Sequence, residues 1–185
     1  MTIDEVRDIA SSARGPVTVT LSCMIVVAAL LTCFWRAEAA ERASVERGKY
    51  LVNLGGCTDC HTPGYFFGMP DEARQLGGSE VGFEIPGLGV FHGPNLTPDQ
   101  DTGLGGWSAA DIVRAIQTGT RPDGRILAPI MPWHAFAELT SEDAQSIAAF
   151  LRSLPPVSNK VPGPFGPSDT PTSFVFRVVA PQPTQ

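Results

Sequence analysis

A Cys-x-x-Cys-His spacing at Cys57, Cys60 and His61 constrains this chain more than any other feature. Two thiols separated by two residues reach neighbouring pyrrole rings from one turn of chain, so each can add to a vinyl group of haem and form a thioether. A histidine placed directly after the second cysteine lies under the iron and can bind it as the proximal ligand. Gly55 and Gly56 precede the motif, and their missing side chains let the backbone approach a flat ring closely. Other chemistries fit less well. A thioredoxin-like dithiol wants a βαβ context that is absent around the motif. A four-ligand zinc site wants further Cys or His, and the remaining cysteines, Cys23 and Cys33, sit in an apolar N-terminal stretch.

That stretch runs from Val17 to Trp35 without a charge, behind Arg7 and Arg14, and is followed by Ala37-Glu38-Ala39. Small residues in this arrangement suit a signal peptidase, which reads as an export signal cut after Ala39. The run is also long enough to stay as a membrane anchor, and Cys33 offers a weaker reading as a lipidation site. Each of these places the haem motif outside the cytoplasm. The expected organisation is therefore residues 1–39 as signal or anchor, 40–156 as a haem domain, and 157–185 as a Pro-rich tail.

From Ser44 the pattern is helical. Val45, Gly48, Tyr50, Leu51, Val52 and Leu54 recur at 3- and 4-residue spacing, and Gly55-Gly56 end the helix. Gly48 inside a helix costs about 1 kcal/mol relative to Ala, which implies a close crossing by another helix. A second helix is punctuated by Ser108 as cap with Asp111 three residues on, and ends at Thr118-Gly119. A third follows Leu139, with Thr140 as cap and Asp143 in its first turn. Its stripe of Ala144, Ile147, Ala148, Leu151 and Leu154 faces inward, and Pro155-Pro156 stop it. Ala148 is the expected seat for Gly48. Between the first two helices, Val81, Phe83 and Ile85 alternate with polar or small residues, Pro86 to Gly89 turn, and Val90-Phe91-His92 return, the pattern of a short hairpin. With 19 Gly and 17 Pro in 185 residues, the rest is loop.

Met131 stands between Pro129 and Pro132 in a segment that cannot be helix or central strand. A thioether held rigidly there suits the second axial position, where it stabilises ferrous iron and raises the potential. Met69, His92 and His134 are the other candidates. Met69 follows His61 too closely to pass around the ring plane, His92 stands at a hairpin end, and His134 falls on a polar helix face. The net charge of −6 comes without a basic run, which argues against a nucleic-acid partner. It suits steering by redox partners with basic patches. The tail offers Phe174-Val175-Phe176-Arg177-Val178-Val179, which fits equally a crossing behind the domain, addition to a partner, or disorder.

Taken in order, the pieces are Arg47 to Val52, Gly56 to His61, Asn95-Leu96-Thr97-Pro98-Asp99, Gly106-Trp107-Ser108, and Pro129 to Trp133. Together they resemble a class I c-type cytochrome, and most closely the haem domains of cytochrome subunits of bacterial membrane-bound dehydrogenases. The resemblance spans about residues 44 to 156. It implies a mostly α, cytochrome c-like fold with the hairpin in a long Gly/Pro-rich loop, and first and last helices that cross steeply near Gly48. It also implies one covalent haem c on Cys57 and Cys60, with His61 and Met131 as axial ligands. Trp107, Arg121 and Arg125 are candidates for holding the haem carboxylates. Many such subunits carry three haem motifs and this chain has one, which suggests a single-haem shuttle or small accessory subunit. The function implied is electron transfer without substrate chemistry, in the periplasm or at the inner membrane through residues 17–35. The partners would be a dehydrogenase, a cytochrome oxidase or another cytochrome. Rival readings are an open-site haem protein acting as peroxidase or gas sensor, and an anchoring cytochrome subunit of a dehydrogenase complex.

Overall fold

The computed structural model describes residues 15–179, with side chains from residue 30 onward. Its elements are α1 (Gly15–Leu54), α2 (Cys57–His61), β1 (Val81–Ile85), β2 (Gly89–His92), α3 (Ala109–Thr118), α4 (Trp133–Phe136), α5 (Ser141–Ser153) and β3 (Phe174–Phe176). The chain divides into two compact units, 1–42 and 43–185. Among the described residues no helix is long and apolar enough to cross a membrane. The signal-or-anchor expectation for 1–39 falls largely outside the residues with described side chains.

The core lies where α1, α3 and α5 meet. Val52, Leu76, Ile112, Ile147, Ala148, Phe150 and Leu151 form one buried cluster, edged by Val45, Leu51, Trp107 and Ile116. Three- and four-residue spacing on α3 and α5 delivers this face, as expected from sequence. On α1 the face is narrower than expected, because Tyr50 and Leu54 stay exposed. The crossing is set by Gly48, and only residues in line with it along the helix, such as Val45 and Val52, reach the core. A Cβ on Gly48 would lie 1.9 Å from the Ser146 carbonyl oxygen and 2.8 Å from the Phe150 Cβ. The seat is thus the backbone at Ser146, half a turn before the expected Ala148.

Polar contacts fix the same crossing. Ser44 and Ser146 hydroxyls are 3.2 Å apart, and Arg47 Nε donates to Asp143 at 2.8 Å. The Arg47 guanidinium holds the Asp143 carboxyl below its ordinary range. A carboxyl depressed on folding stabilises the fold above its unfolded pKa of about 4 and loses that contribution as pH falls through the depressed value. Thermal unfolding of Asp143→Asn is therefore expected to show a shallower acid limb than wild type below about pH 4, with little change in the slope above it. An unchanged acid limb would count against the ion pair. The contact is solvent-screened, so the effect is small.

Both sequence-derived caps are present. The Ser108 hydroxyl accepts from Asp111 N at 3.1 Å while Asp111 accepts from Ser108 N at 3.1 Å, a reciprocal capping box. Thr140 accepts from Asp143 N at 3.1 Å. The hairpin pairs β1 with β2 antiparallel, Gly82 opposite His92 and Ile85 opposite Gly89. The tail adds a third strand. β3 runs parallel to β1, with Phe174 opposite Val81 and Phe176 opposite Phe83, so the order is β2-β1-β3.

Asn95 ties the tail down. Its Nδ2 donates to the Val157 carbonyl at 2.6 Å and to Thr102 at 3.0 Å, while its Oδ1 accepts from Thr97 N at 2.9 Å. Thr97 Oγ1 accepts from Val157 N at 3.0 Å, and Asn159 donates to the Gly77 carbonyl at 2.8 Å. Asn95 and Thr97 are fully buried, so their side chains must find these partners within the protein rather than in water.

Candidate haem site

Gly56 opens α2 in the left-handed conformation, φ 64°, which an unsubstituted Cα adopts freely. The single turn that follows carries Cys57, Cys60 and His61 on one short helix. Both thiols are free. Burial pushes the Cys57 thiol up to about 11, and burial also raises Cys60. Such thiols stay protonated at neutral pH. A thiolate metal site or an exchange nucleophile needs the opposite shift, whereas a thioether sulfur carries no charge and tolerates the apolar setting. Among the described residues no group of three or more Cys, His, Asp or Glu is placed to hold a metal ion.

His61 is buried and its Nδ1–H donates to the Pro94 carbonyl at 2.8 Å. Because a carbonyl only accepts, the proton sits on Nδ1 and Nε2 keeps its lone pair. Burial lowers the His61 pKa against the pull of that carbonyl, so the imidazole is neutral, the form that binds a metal. Around it the 62–79 loop is stitched shut. Gly78 N donates to the His61 carbonyl at 2.8 Å, Ser79 N to the Gly93 carbonyl at 2.9 Å, and Leu76 N to the Thr62 hydroxyl at 3.1 Å. Gly93 lets the hairpin's exit lie against the motif, since a Cβ there would be 1.7 Å from the Cys60 carbonyl oxygen. Sequence reasoning missed Gly93-Pro94. Its only local signal is a Gly-Pro pair after a strand, 33 residues from the histidine it orients.

Met131 is half-buried and its backbone is held on both sides. Met131 N donates to the Ala128 carbonyl at 2.9 Å, and Trp133 N donates to the Met131 carbonyl at 2.8 Å. The Trp133 indole lies on Gly119, where a Cβ would come within 2.6 Å of the ring. The other candidates are placed differently. Met69 is 76% exposed. His134 is exposed and stacks on Trp133 at 3.5 Å. His92 Nε2 is 2.8 Å from the Ser173 hydroxyl, which ties it to the tail.

Trp107 stands directly before the Ser108 cap. It packs on the helical core, and the Arg121 guanidinium sits over its ring at 5.2 Å. Arg121 Nε is buried without a hydrogen-bond partner and lies 3.5 Å from Asp123 in a loose ion pair. Arg125, the third candidate, is engaged by Asp123, with Nε at 2.9 Å from the carboxylate. A buried guanidinium N–H with spare donor capacity is what an anionic group would satisfy. The motif offers two uncharged thiols and an oriented, neutral imidazole on one turn, the donor set that a covalently attached haem requires, and it fits that group.

Residues 45–155 match the family model described as cytochrome c. The chain is 34% identical over 129 residues to the cytochrome c subunit of a quinone alcohol dehydrogenase from Gluconobacter oxydans, which covers 68% of this chain and 25% of that protein. It is 36% identical over 115 residues to a diheme cytochrome c-type protein of Cereibacter sphaeroides, covering 60% and 36%. It is 31% identical over 134 residues to the fructose dehydrogenase cytochrome subunit of Gluconobacter japonicus, covering 69% and 26%. The matched region thus spans about a quarter to a third of these relatives. Covalently bound haem c is the cofactor this family implies, with Cys57 and Cys60 in the attachment positions. By its matched residues and its mostly helical fold, this chain is a member of the cytochrome c family.

Proposed function

We propose that this chain carries single electrons from a dehydrogenase to a respiratory chain, using one haem c. Bound haem would supply reversible one-electron exchange. Cys57 and Cys60 are the thioether anchors. His61 is the proximal ligand, kept in the Nε2-accepting tautomer by Pro94, and Met131 is the distal ligand. Arg121, over the Trp107 ring, would hold the haem carboxylates. The observation that carries this reading is the hydrogen bond from His61 Nδ1 to Pro94, because it readies a neutral imidazole beside two uncharged thiols.

The dehydrogenase kind of partner follows from likeness to the alcohol and fructose dehydrogenase cytochrome subunits. Those are parts of oxidoreductases, and this chain is proposed as the carrier part of such an assembly, without its own substrate. An exported location agrees with the uncharged run at 17–35 and with a haem that is attached outside the cytoplasm.

The test is co-expression with a cytochrome maturation system. Wild type is expected to retain haem on a denaturing gel and to gain the mass of one haem. Cys57→Ser and Cys60→Ser together are expected to abolish covalent retention. Wild type without bound haem, or the double variant with it, would overturn the assignment.

A further inference from the structure

Past the prolines that end α5, the tail alternates. Val157, Asn159 and Val161 are half-buried, while Ser158 and Lys160 between them are exposed. Pro155, Pro156, Pro162 and Pro164 bracket this run and keep it out of a helix, so every second side chain turns the same way. The three inward residues lie beyond residues 45–155, which match the family model. They meet two loops, and both loops hold His61.

The first loop is Pro94-Asn95. The Pro94 carbonyl that accepts from His61 Nδ1 belongs to the same planar peptide as Asn95 N, so whatever fixes Asn95 fixes the direction of that acceptor. Asn95 Nδ2 donates to the Val157 carbonyl at 2.6 Å, and Val157 N donates back to Thr97 Oγ1 at 3.0 Å. Thr102 Oγ1 joins the two sides, accepting from Asn95 Nδ2 and from Asn159 N, each at 3.0 Å. The second loop is Gly77-Gly78. Gly78 N donates to the His61 carbonyl at 2.8 Å. Asn159 Nδ2 donates to the Gly77 carbonyl at 2.8 Å, and a Cβ on Gly78 would overlap the Val161 side chain. His61 is held at its ring by one loop and at its backbone by the other, and the strap at 157–161 backs both.

We infer that Asn159 and Val161, with the Val157 backbone, are positioning residues for the proximal histidine and so set the potential of the haem iron. The inference rests on the reading of His61 as the proximal ligand. A histidine that donates its Nδ1–H to a well-placed carbonyl is the more basic ligand at Nε2, and a more basic ligand favours ferric iron. The strap keeps that hydrogen bond at 2.8 Å and so holds the potential down. Letting the acceptor swing away raises the potential. Letting water in beside the haem does the opposite, since a high dielectric favours the extra charge of ferric iron. The sign of the shift separates a clamp on the ligand from a mere cover.

A redox titration of the haem-loaded full chain tests this, once wild type has shown covalent haem on a denaturing gel. Asn159→Ala with Val161→Ala is expected to shift the ferrous-to-ferric ratio at fixed potential roughly three- to tenfold toward ferrous, at and below the low end of what an outer partner is worth to a metal site. Ser158→Ala, on the outward side, is expected to leave the ratio unchanged. Exchange of the His61 Nδ1 proton, followed by NMR in the ferrous protein, is expected to be faster in the double variant. Asn159→Ala alone is the milder variant, expected to shift the ratio the same way by about twofold, and it decides the matter if the double variant loses its haem. No shift, or a shift toward ferric, in a variant that retains covalent haem would overturn the strap and leave the haem assignment standing. Wild type without covalent haem would overturn both.

Discussion

Met131→Ala is expected to remove the weak far-red absorption band of ferric haem that a methionine sulfur produces. It is also expected to lower the midpoint potential by roughly a quarter of the ~0.8 V span that axial ligation commands. The thioether favours ferrous iron, and without it the ferric state gains. Both readouts come from the purified protein, by absorption spectroscopy and a redox titration. The loss is expected to be local, because Met131 is held by its own backbone bonds to Ala128 and Trp133 and the Trp133 ring remains on Gly119. The variant is expected to bind carbon monoxide readily once reduced. A far-red band that persists in Met131→Ala would place the sixth ligand elsewhere. A wild type that is high-spin and binds carbon monoxide would favour the open-site reading over electron carriage.

Gly48→Ala gives the second large effect, and its sign separates local from tertiary physics. Within an isolated helix the change is favourable by about 1 kcal/mol. In the fold the new Cβ would lie 1.9 Å from the Ser146 carbonyl oxygen and 2.8 Å from the Phe150 Cβ. These are backbone and near-backbone atoms that no rotamer change moves. Helices α1 and α5 must separate, which opens the cluster around Val52 and Ala148. A net loss of about 3 kcal/mol is expected, at the upper end of overpacking costs. For a chain of this size that corresponds to a melting point lower by roughly 6–12 °C. A melting point equal to or above that of wild type would show that the crossing is not where the structure puts it.

The site was legible wherever its chemistry is local. Cys57, Cys60 and His61 stand within five residues, and a covalent attachment requires that spacing whatever surrounds it. The capped helices were legible for the same reason, since Ser108 with Asp111 and Thr140 with Asp143 act within one turn. Met131, the proposed distal ligand, is singled out only by its flanking prolines, which announce a rigid loop without saying what it faces.

Contacts that close large loops were not legible. Pro94 orients His61 from 33 residues away, and Asn95 holds Val157 from 62 residues away. Nothing in either local pattern names the partner. Gly48 announced a crossing, but the choice of Ser146 over Ala148 depends on how two ridged surfaces settle. The tail shows the limit most clearly. Its Phe-Val-Phe run fits several fates, and pairing with β1 became possible only once the hairpin presented an edge and the Asn95–Val157 knot delivered the chain to it. The sequence by itself determined the cofactor class and the helical frame, because covalent geometry and helix periodicity operate over a few residues. Tertiary structure decided the orientation of His61, the helix seat, and the third strand. Those depend on which distant backbone groups are left to pair once water is excluded.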